Sequence, residues 1–490
     1  LPAAAEELYR IVFREADIHG TDEDEVAVIA GTESGSLSVS IRSRGSGADA
    51  SRTPHFQRQF TPGETKELRI YMHGGDDQIL LEGSSNPSIP IRIIGGGGED
   101  RVTGSAGGAP VFFYDAGDHS EVEAEGVKWL RREAPRPFSW WVDGEGPLDF
   151  GARAWPELAL GYDPDRGLTA TAGFKRERFG FLAEPYLSRL QMSVGWAFGR
   201  SEPILNLRYQ RRHVAGGADL LLRARYSGFE VVRFYGLGNQ TEETELPDFY
   251  KVRQKQLALN ASVGFGDGEG KEFSIGPVLR RTASDTVDAV NYVTLLRSYG
   301  TGAFLQAGVQ ATLELDERDR VSYPTRGYHF SAGGSYYPPV LDVEESFGEV
   351  HGHVAGFLSP ASGNPTLALR VGGKQLWGTF PYSDAAYLGG SQNVRGLREQ
   401  RFAGEAAVYG SAELRVFLTR FLLLFPTDFG VFGLSDAGRV YAGGQPSGGW
   451  HTSVGGGIWL APVMRSATVH VSIAQSEGRR AFYVGTGFAF

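Results

Sequence analysis

The sequence predicts an all-β protein: a transmembrane antiparallel β-barrel of about 16 strands, preceded by an N-terminal β-rich domain. Three observations carry that prediction. Sixty-eight glycines, 12% aromatic residues and only three methionines in 490 residues favour short strands and tight turns over helices. From about residue 166 onward apolar and polar residues alternate with period 2, and no run of about 18 apolar residues offers a membrane helix. The mean hydropathy of -0.24 fits a barrel, whose water-filled lumen makes every second strand residue polar.

The net charge of -10 and pI near 5.6 exclude the basic stripe that nucleic-acid binding needs. Without cysteine there is no disulfide framework, thiol catalysis or Cys-ligated zinc. The opening Leu1-Pro2-Ala3-Ala4-Ala5 reads as a mature chain or as a fragment of a longer one. Gly31-Thr32-Glu33-Ser34-Gly35 and Gly433-Leu434-Ser435-Asp436-Ala437 both fail the Gly-x-Ser-x-Gly pattern of a nucleophile elbow. Walker-type and His-Glu-x-x-His motifs are also missing, so neither catalysis nor a cofactor is expected of this chain.

Residues 6–15 suit a short strand or a short helix. The segment 1–130 is polar, glycine-rich and loosely repetitive. Ile18-His19-Gly20-Thr21-Asp22-Glu23-Asp24-Glu25-Val26 compares with Met72-His73-Gly74-Gly75-Asp76-Asp77-Gln78-Ile79 and with Ile94-Gly95-Gly96-Gly97-Gly98-Glu99-Asp100-Arg101-Val102. Tyr114-Asp115-Ala116-Gly117-Asp118 is a decayed fourth copy. Gly95–Val102 fits the Gly-Gly-x-Gly-x-Asp pattern of calcium-binding β-rolls, with Asp77 and Asp100 as candidate ligands. Such a roll needs neighbouring turns and these copies are not consecutive, so the adopted reading is a metal-free β-sandwich or short solenoid. Residues 131–165, with Pro135, Pro137, Trp140 and Trp141, read as a connection.

In 166–490, Leu205, Leu207 and Tyr209 alternate with Asn206, Arg208 and Gln210; Val469, Val471 and Ile473 alternate with Thr468, His470 and Ser472. A soluble sandwich also alternates, but it does not keep arginine and glutamate on the polar face of long strands far from any turn. The parsing separates strands 218–227 and 229–236 at a Ser227-Gly228 turn. It gives short, periplasmic connections at 199–203, 227–228 and 362–365, and long external loops at 237–249, 282–297 and 376–402. The N-terminal domain and Phe490 are then periplasmic. Glu349, His351 and His353 share one face of a strand; that spacing suits zinc or copper, but residues on one flat strand converge poorly, and a polar lumen face is the adopted reading.

Tyr387-Leu388-Gly389-Gly390-Ser391-Gln392-Asn393-Val394-Arg395-Gly396-Leu397 reads as a long loop that folds back and buries one cation. A buried guanidinium needs a carboxylate or several carbonyls. Asp436, on a predicted strand, is the first candidate. The pair clamps the long loop inside the lumen and sets the state of a channel or gate, or holds the barrel in shape; the two roles are not exclusive.

Val394-Arg395-Gly396-Leu397 resembles the Val-Arg-Gly-(aromatic) loop of the BamA/TamA surface-antigen superfamily of outer-membrane barrels, with Leu397 where that family usually has an aromatic. Leu434, Asp436 and Gly438 resemble its (Phe/Leu)-x-Asp-x-Gly strand motif. Asp316-Glu317-Arg318-Asp319 with Tyr323-Pro324-Thr325-Arg326-Gly327 resembles its periplasmic turn, and Glu413-Leu414-Arg415 its strand after the arginine loop. Gly485, Phe488 and Phe490 are similar to the C-terminal signal read by the barrel-assembly machinery, on a last strand whose Phe482, Val484, Phe488 and Phe490 are expected to face lipid. The likeness covers about 165–490, and no polypeptide-transport-associated (POTRA) pattern precedes it. It implies an outer-membrane location and a role in inserting or translocating polypeptides. Implied partners are outer-membrane lipid and lipopolysaccharide, the barrel-assembly machinery and a client polypeptide. The alternative is a barrel that anchors or exports a catalytic domain upstream of Leu1, a phosphoesterase or patatin-like lipase.

Overall fold

A computed structural model describes residues 14–490 apart from 33–34, 46–52, 84–87, 109, 118, 132–150, 164, 166, 184, 268–269, 286–290, 423, 446–447, 464 and 466–467. The chain divides into two units, Leu1–Gly151 with Gly180–Leu182, and Ala152–Phe179 with Ala183–Phe490.

The first unit contains β1 Glu15–His19, β2 Glu25–Gly31, β3 Leu37–Ser43, β4 Phe56–Phe60, β5 Glu67–Tyr71, β6 Gln78–Glu82, β7 Ile91–Ile94, β8 Arg101–Ser105, β9 Val111–Tyr114, β10 Glu121–Glu125 and β11 Val127–Leu130. They form two sheets, β1-β5-β7-β9-β11 and β10-β8-β6-β2-β3-β4. The chain passes back and forth between the sheets, and every pairing is parallel except those of β3 with β2 and β4. This is a short solenoid, one of the two expected architectures. Like stacks on like: Ile18, Ile70, Ile93, Phe113 and Trp129 form one interior row and Ala27, Ile79, Val102 and Val122 another. The repeat copies, read as non-consecutive, are spatial neighbours. The β3–β4 hairpin is an insertion that separates the first two copies in sequence only.

The second unit is an antiparallel β-barrel. Its strands are β12 Ala152–Asp163, β13 Gly167–Arg178, β14 Ser188–Ala197, β15 Glu202–Ala215, β16 Ala218–Arg233, β17 Lys251–Gly266, β18 Lys271–Ser284, β19 Ala303–Asp316, β20 Gly327–Tyr337, β21 Phe347–Leu358, β22 Thr366–Gly378, β25 Ala406–Leu422, β26 Pro426–Tyr441, β27 His451–Pro462, β28 Val469–Ser476 and β29 Arg479–Thr486. Within the loop after β22, β23 Ala386–Leu388 pairs with β24 Phe402–Gly404. The sixteen long strands lie in sequence order from β12 to β29. No described helix is long and apolar enough to cross a membrane. Burial is inverted relative to a soluble sheet: on β22, Leu367, Leu369 and Val371 are exposed while Thr366, Ala368 and Arg370 are buried. Apolar residues outside and charge inside require lipid around the barrel and polar partners within it.

The strand count agrees with the sequence reading, but its composition does not. β12 lies within the expected connection 131–165, whose Pro135, Pro137, Trp140 and Trp141 fall outside the described residues, as do residues 6–13. The supposed strands 218–227 and 229–236 are one strand, β16, with a bulge between Ser227 and Glu230. Gly228 lies in that bulge, packed so that a Cβ there would be 3.1 Å from both Glu202 Cβ and Pro203 Cδ. A glycine in a bulge and one in a turn look alike in sequence. Adding one strand and merging two moves the turn at 199–203 to the end that carries the long loops after β16, β18 and β22. The connection 362–365 stays at the opposite end.

On this geometry Val371→Arg, on the lipid face, destabilises the barrel by ~2–4 kcal/mol if it sits near the bilayer midplane. Gln310→Arg, facing the lumen cavity, has much less effect. Urea titration of folding into phospholipid vesicles measures both.

Candidate functional site

The loop between β22 and β25 turns back into the lumen and places Arg395 against two strands. Arg395 is 5% exposed, and Asp436 and Glu413 are each 1% exposed. Its Nε donates to Asp436 Oδ2 at 2.8 Å and its Nη2 to Asp436 Oδ1 at 2.6 Å, a two-pronged contact that lysine could not make. The Arg395 main-chain N–H also donates to Asp436 Oδ2, at 3.0 Å. Nη1 binds Glu413. Arg415 completes the row, donating from Nε and Nη2 to Glu413 Oε2 at 3.0 and 2.7 Å.

The sequence motifs become spatial requirements here. On β26, Leu434, Asp436 and Gly438 face inward: Leu434 packs with Tyr323, Phe432 and Trp459, and Asp436 holds the arginine. A Cβ on Gly438 would lie 2.6 Å from Leu388 and 2.8 Å from Val394, so this glycine makes room for the loop. Gly396, at φ 91, approaches β28 so closely that a Cβ would lie 2.8 Å from the Ser476 nitrogen. Its N–H donates to Tyr483 Oη at 2.8 Å and its carbonyl accepts from Arg479 Nη1 at 3.0 Å, both on β29. Leu397, in the family's aromatic position, sits in an apolar cluster with Leu376, Leu388, Val394, Phe402 and Val440. In the turn after β19, Asp319 accepts from Thr325 N at 2.8 Å and Thr325 Oγ1 at 2.7 Å, and Tyr323 is buried.

The profile of the Omp85 superfamily domain matches residues 183–490, more than half of the chain. The chain belongs to the Omp85 superfamily. Among solved structures it is similar to BamA from Haemophilus ducreyi lacking POTRA domains 1–3, at 15% identity and a TM-score of 0.49, covering 68% of each chain. It is also similar to CdiB from Escherichia coli (10% identity, TM-score 0.43, 68% of this chain and 61% of that one). CdiB from Acinetobacter baumannii gives 12% identity and a TM-score of 0.40, over 69% of this chain and 60% of that one. The chain thus spans about 60% of the CdiB chains. No curated protein matches it. Omp85 barrels are outer-membrane proteins, and so is this one.

One expectation for this Omp85 barrel is overturned. Phe482 and Val484 face outward, but β29 ends at Thr486, and Gly487 at φ 70 turns residues 488–490 into the lumen. Phe488 lies over the Arg415 guanidinium at 4.0 Å and against Tyr323, Phe432, Trp459 and His470. Phe490 lies over Arg370 at 4.6 Å, and its main-chain oxygen accepts from Arg415 Nη2 at 2.9 Å. Neither ring faces lipid. The physical reason is the hydrogen-bonding need of buried guanidinium groups: Glu413 and Asp436 cannot satisfy Arg370, Arg395 and Arg415 alone, and main-chain oxygens with aromatic faces supply the remaining partners. Arg370 correspondingly donates to Gln392 O at 2.7 Å and Ala489 O at 3.4 Å. Gly485 leaves space for His470, whose Cε1 would lie 2.7 Å from a Cβ there.

Sequence reasoning identified Asp436 but missed Glu413 as a second carboxylate and Arg370 as a third cation. The available signal was that Glu413 and Arg415, at i and i+2 on a strand, share a face. Glu349, His351 and His353 lie on β21 but do not converge: Glu349 pairs with Lys374 at 2.6 Å, and His353 meets His329 at 3.2 Å.

Arg395→Ala strands the buried Asp436 carboxylate, while Glu413 keeps Arg415, and should cost about 3–5 kcal/mol. Lower heat resistance of the folded band on gels reports it, and Arg395→Lys recovers little. Phe488→Ala lowers the same resistance, whereas Phe482→Ala, on the lipid face, leaves it near wild type.

Proposed function

We propose that this outer-membrane barrel inserts or translocates polypeptides, and that the clamped arginine loop sets the state of its lumen. The observation that carries this reading is the clamp itself. Through Arg395 and Gly396 the loop is tied to β25, β26 and β29 together. Movement of the last strands relative to β25 and β26 therefore has to rearrange the loop, so the loop and the barrel wall change state together.

The long-loop end is interlocked. Gly238 N–H donates to Ala403 O at 2.8 Å, Arg398 pairs with Glu243 at 3.1 Å, and Val440 N–H donates to Asn239 Oδ1 at 2.9 Å. β12 enters and β29 leaves at the short-turn end, which supports a periplasmic place for residues 1–130, with 131–151 as the connection to the barrel. The apolar outer face meets lipid and lipopolysaccharide. The assembly signal in Gly485, Phe488 and Phe490 is read in the unfolded chain, before these residues turn inward. The client is an unfolded polypeptide that enters from the periplasm, and Omp85 chemistry is transport or insertion rather than catalysis.

The test is reconstitution in liposomes supplied with an unfolded outer-membrane porin or a secreted passenger chain. Wild-type barrel should accelerate porin folding or passenger protection from protease at least several-fold over empty liposomes. Asp436→Asn, purified in folded form, should lose most of that gain. Rates equal to those of empty liposomes for both clients would remove the proposal.

A further inference from the structure

The stacked turns of the solenoid bury a column of carboxylates without a matching cation. Glu25 and Asp77 are fully buried and Asp100 and Asp115 are each 1% exposed. One oxygen of each aspartate is used within the stack. Glu25 N–H donates to Asp77 Oδ1 at 2.8 Å, Asp77 N–H to Asp100 Oδ1 at 3.1 Å, and Gly117 N–H to Asp115 Oδ1 at 2.7 Å. The other oxygen, Oδ2, of Asp77, Asp100 and Asp115 is buried with no hydrogen-bond partner. The basic side chains nearby do not reach the three aspartates: His55 Nε2 lies 3.1 Å from Glu25 and Arg44 donates to the Asp76 carbonyl at 2.9 Å.

The free oxygen of Asp100 points into its own turn. A Cβ on Gly95 would lie 2.2 Å from Asp100 Oδ2. Carbonyls of one turn press on glycines of the next: a Cβ on Gly96 would lie 1.9 Å from His73 O, and one on Gly98 would lie 2.1 Å from Gly75 O. Adjacent coils therefore meet at main-chain oxygen atoms, and glycine is what allows them to come so close.

We propose that these stacked turns bind calcium, with the Asp77 and Asp100 carboxylates as side-chain ligands and turn carbonyls completing the shell. Among the described residues no three acidic or histidine side chains meet at one point. A site with few carboxylates and several carbonyls suits calcium, which accepts irregular sets of six to eight oxygens, better than magnesium, which demands a compact octahedron. Zinc and copper favour nitrogen or sulfur donors, whereas the atoms left without a partner in this column are carboxylate oxygens. Burial, joined by the charge of neighbouring carboxylates, pushes Asp77 up to about 8 and Asp100 up to about 7 in the ion-free chain. A divalent ion supplies the charge that the protein does not.

The experiment uses the full chain folded in detergent and stripped with chelator. Calcium chloride alone is titrated by calorimetry and equilibrium dialysis, with magnesium chloride in parallel, and proteolysis of the solenoid is followed with and without calcium. Saturable calcium uptake below millimolar concentration is expected, with at least tenfold weaker magnesium binding and slower cleavage of residues 14–130. Asp77→Asn and Asp100→Asn each keep the shape and remove a buried charge, so the solenoid still folds; each should weaken calcium binding at least tenfold. Asp76→Asn, in the exposed row beside them, should not. Absence of saturable uptake by the wild-type chain overturns the proposal, and so does binding unchanged in both asparagine variants.

Discussion

The barrel depends on one constraint: a guanidinium taken out of water must be surrounded by oxygen. Arg395 meets it with two prongs on Asp436 and one on Glu413. Its Coulomb attraction in the interior is offset by the cost of desolvating three charges, so the cluster specifies geometry more than it adds net stability. Much of the surrounding structure serves that geometry. Gly438 clears space for the loop, Gly396 lets it touch β28, and Tyr483 and Arg479 fix the tip from β29.

The same cluster explains the inward turn of residues 487–490. Two carboxylates cannot fill the hydrogen-bonding needs of three buried arginines, and the Phe488 and Phe490 rings with the main-chain oxygens of Ala489 and Phe490 supply the remaining partners. An aromatic residue that alternation alone would send to lipid is drawn inside by cations on strands distant in sequence. The lumen of this Omp85 barrel is thus organised from its charged wall, and the loop and the last residues of the chain are fitted to it.

The solenoid solves a different problem with a similar material. Its strands are only four to seven residues long, and each gains its place by stacking on the equivalent strand of the next coil. The glycine and aspartate turns let coils approach at backbone distance. The cost is a row of buried carboxylates, which a bound cation would offset.

Alternation in Leu205–Gln210 and Val469–Ile473 already determined a membrane barrel, because strand side chains obey a local period of 2 and membrane barrels show it with charge on the polar face. The Val-Arg-Gly and Leu-x-Asp-x-Gly spacings likewise determined which arginine would be buried and one of its partners. Tertiary structure alone decided the rest. That Gly228 marks a bulge and not a turn depends on the register of β16 against β17; that Glu413 shares Arg395 depends on the register of β25 against β26; that Phe490 lies inside depends on Arg370 and Arg415. The turn before Glu25 and the Asp77 turn became neighbours only once the β3–β4 hairpin was folded out of the way. Each is a contact between residues far apart in the chain, and local periodicity carries no information about which distant residues will meet.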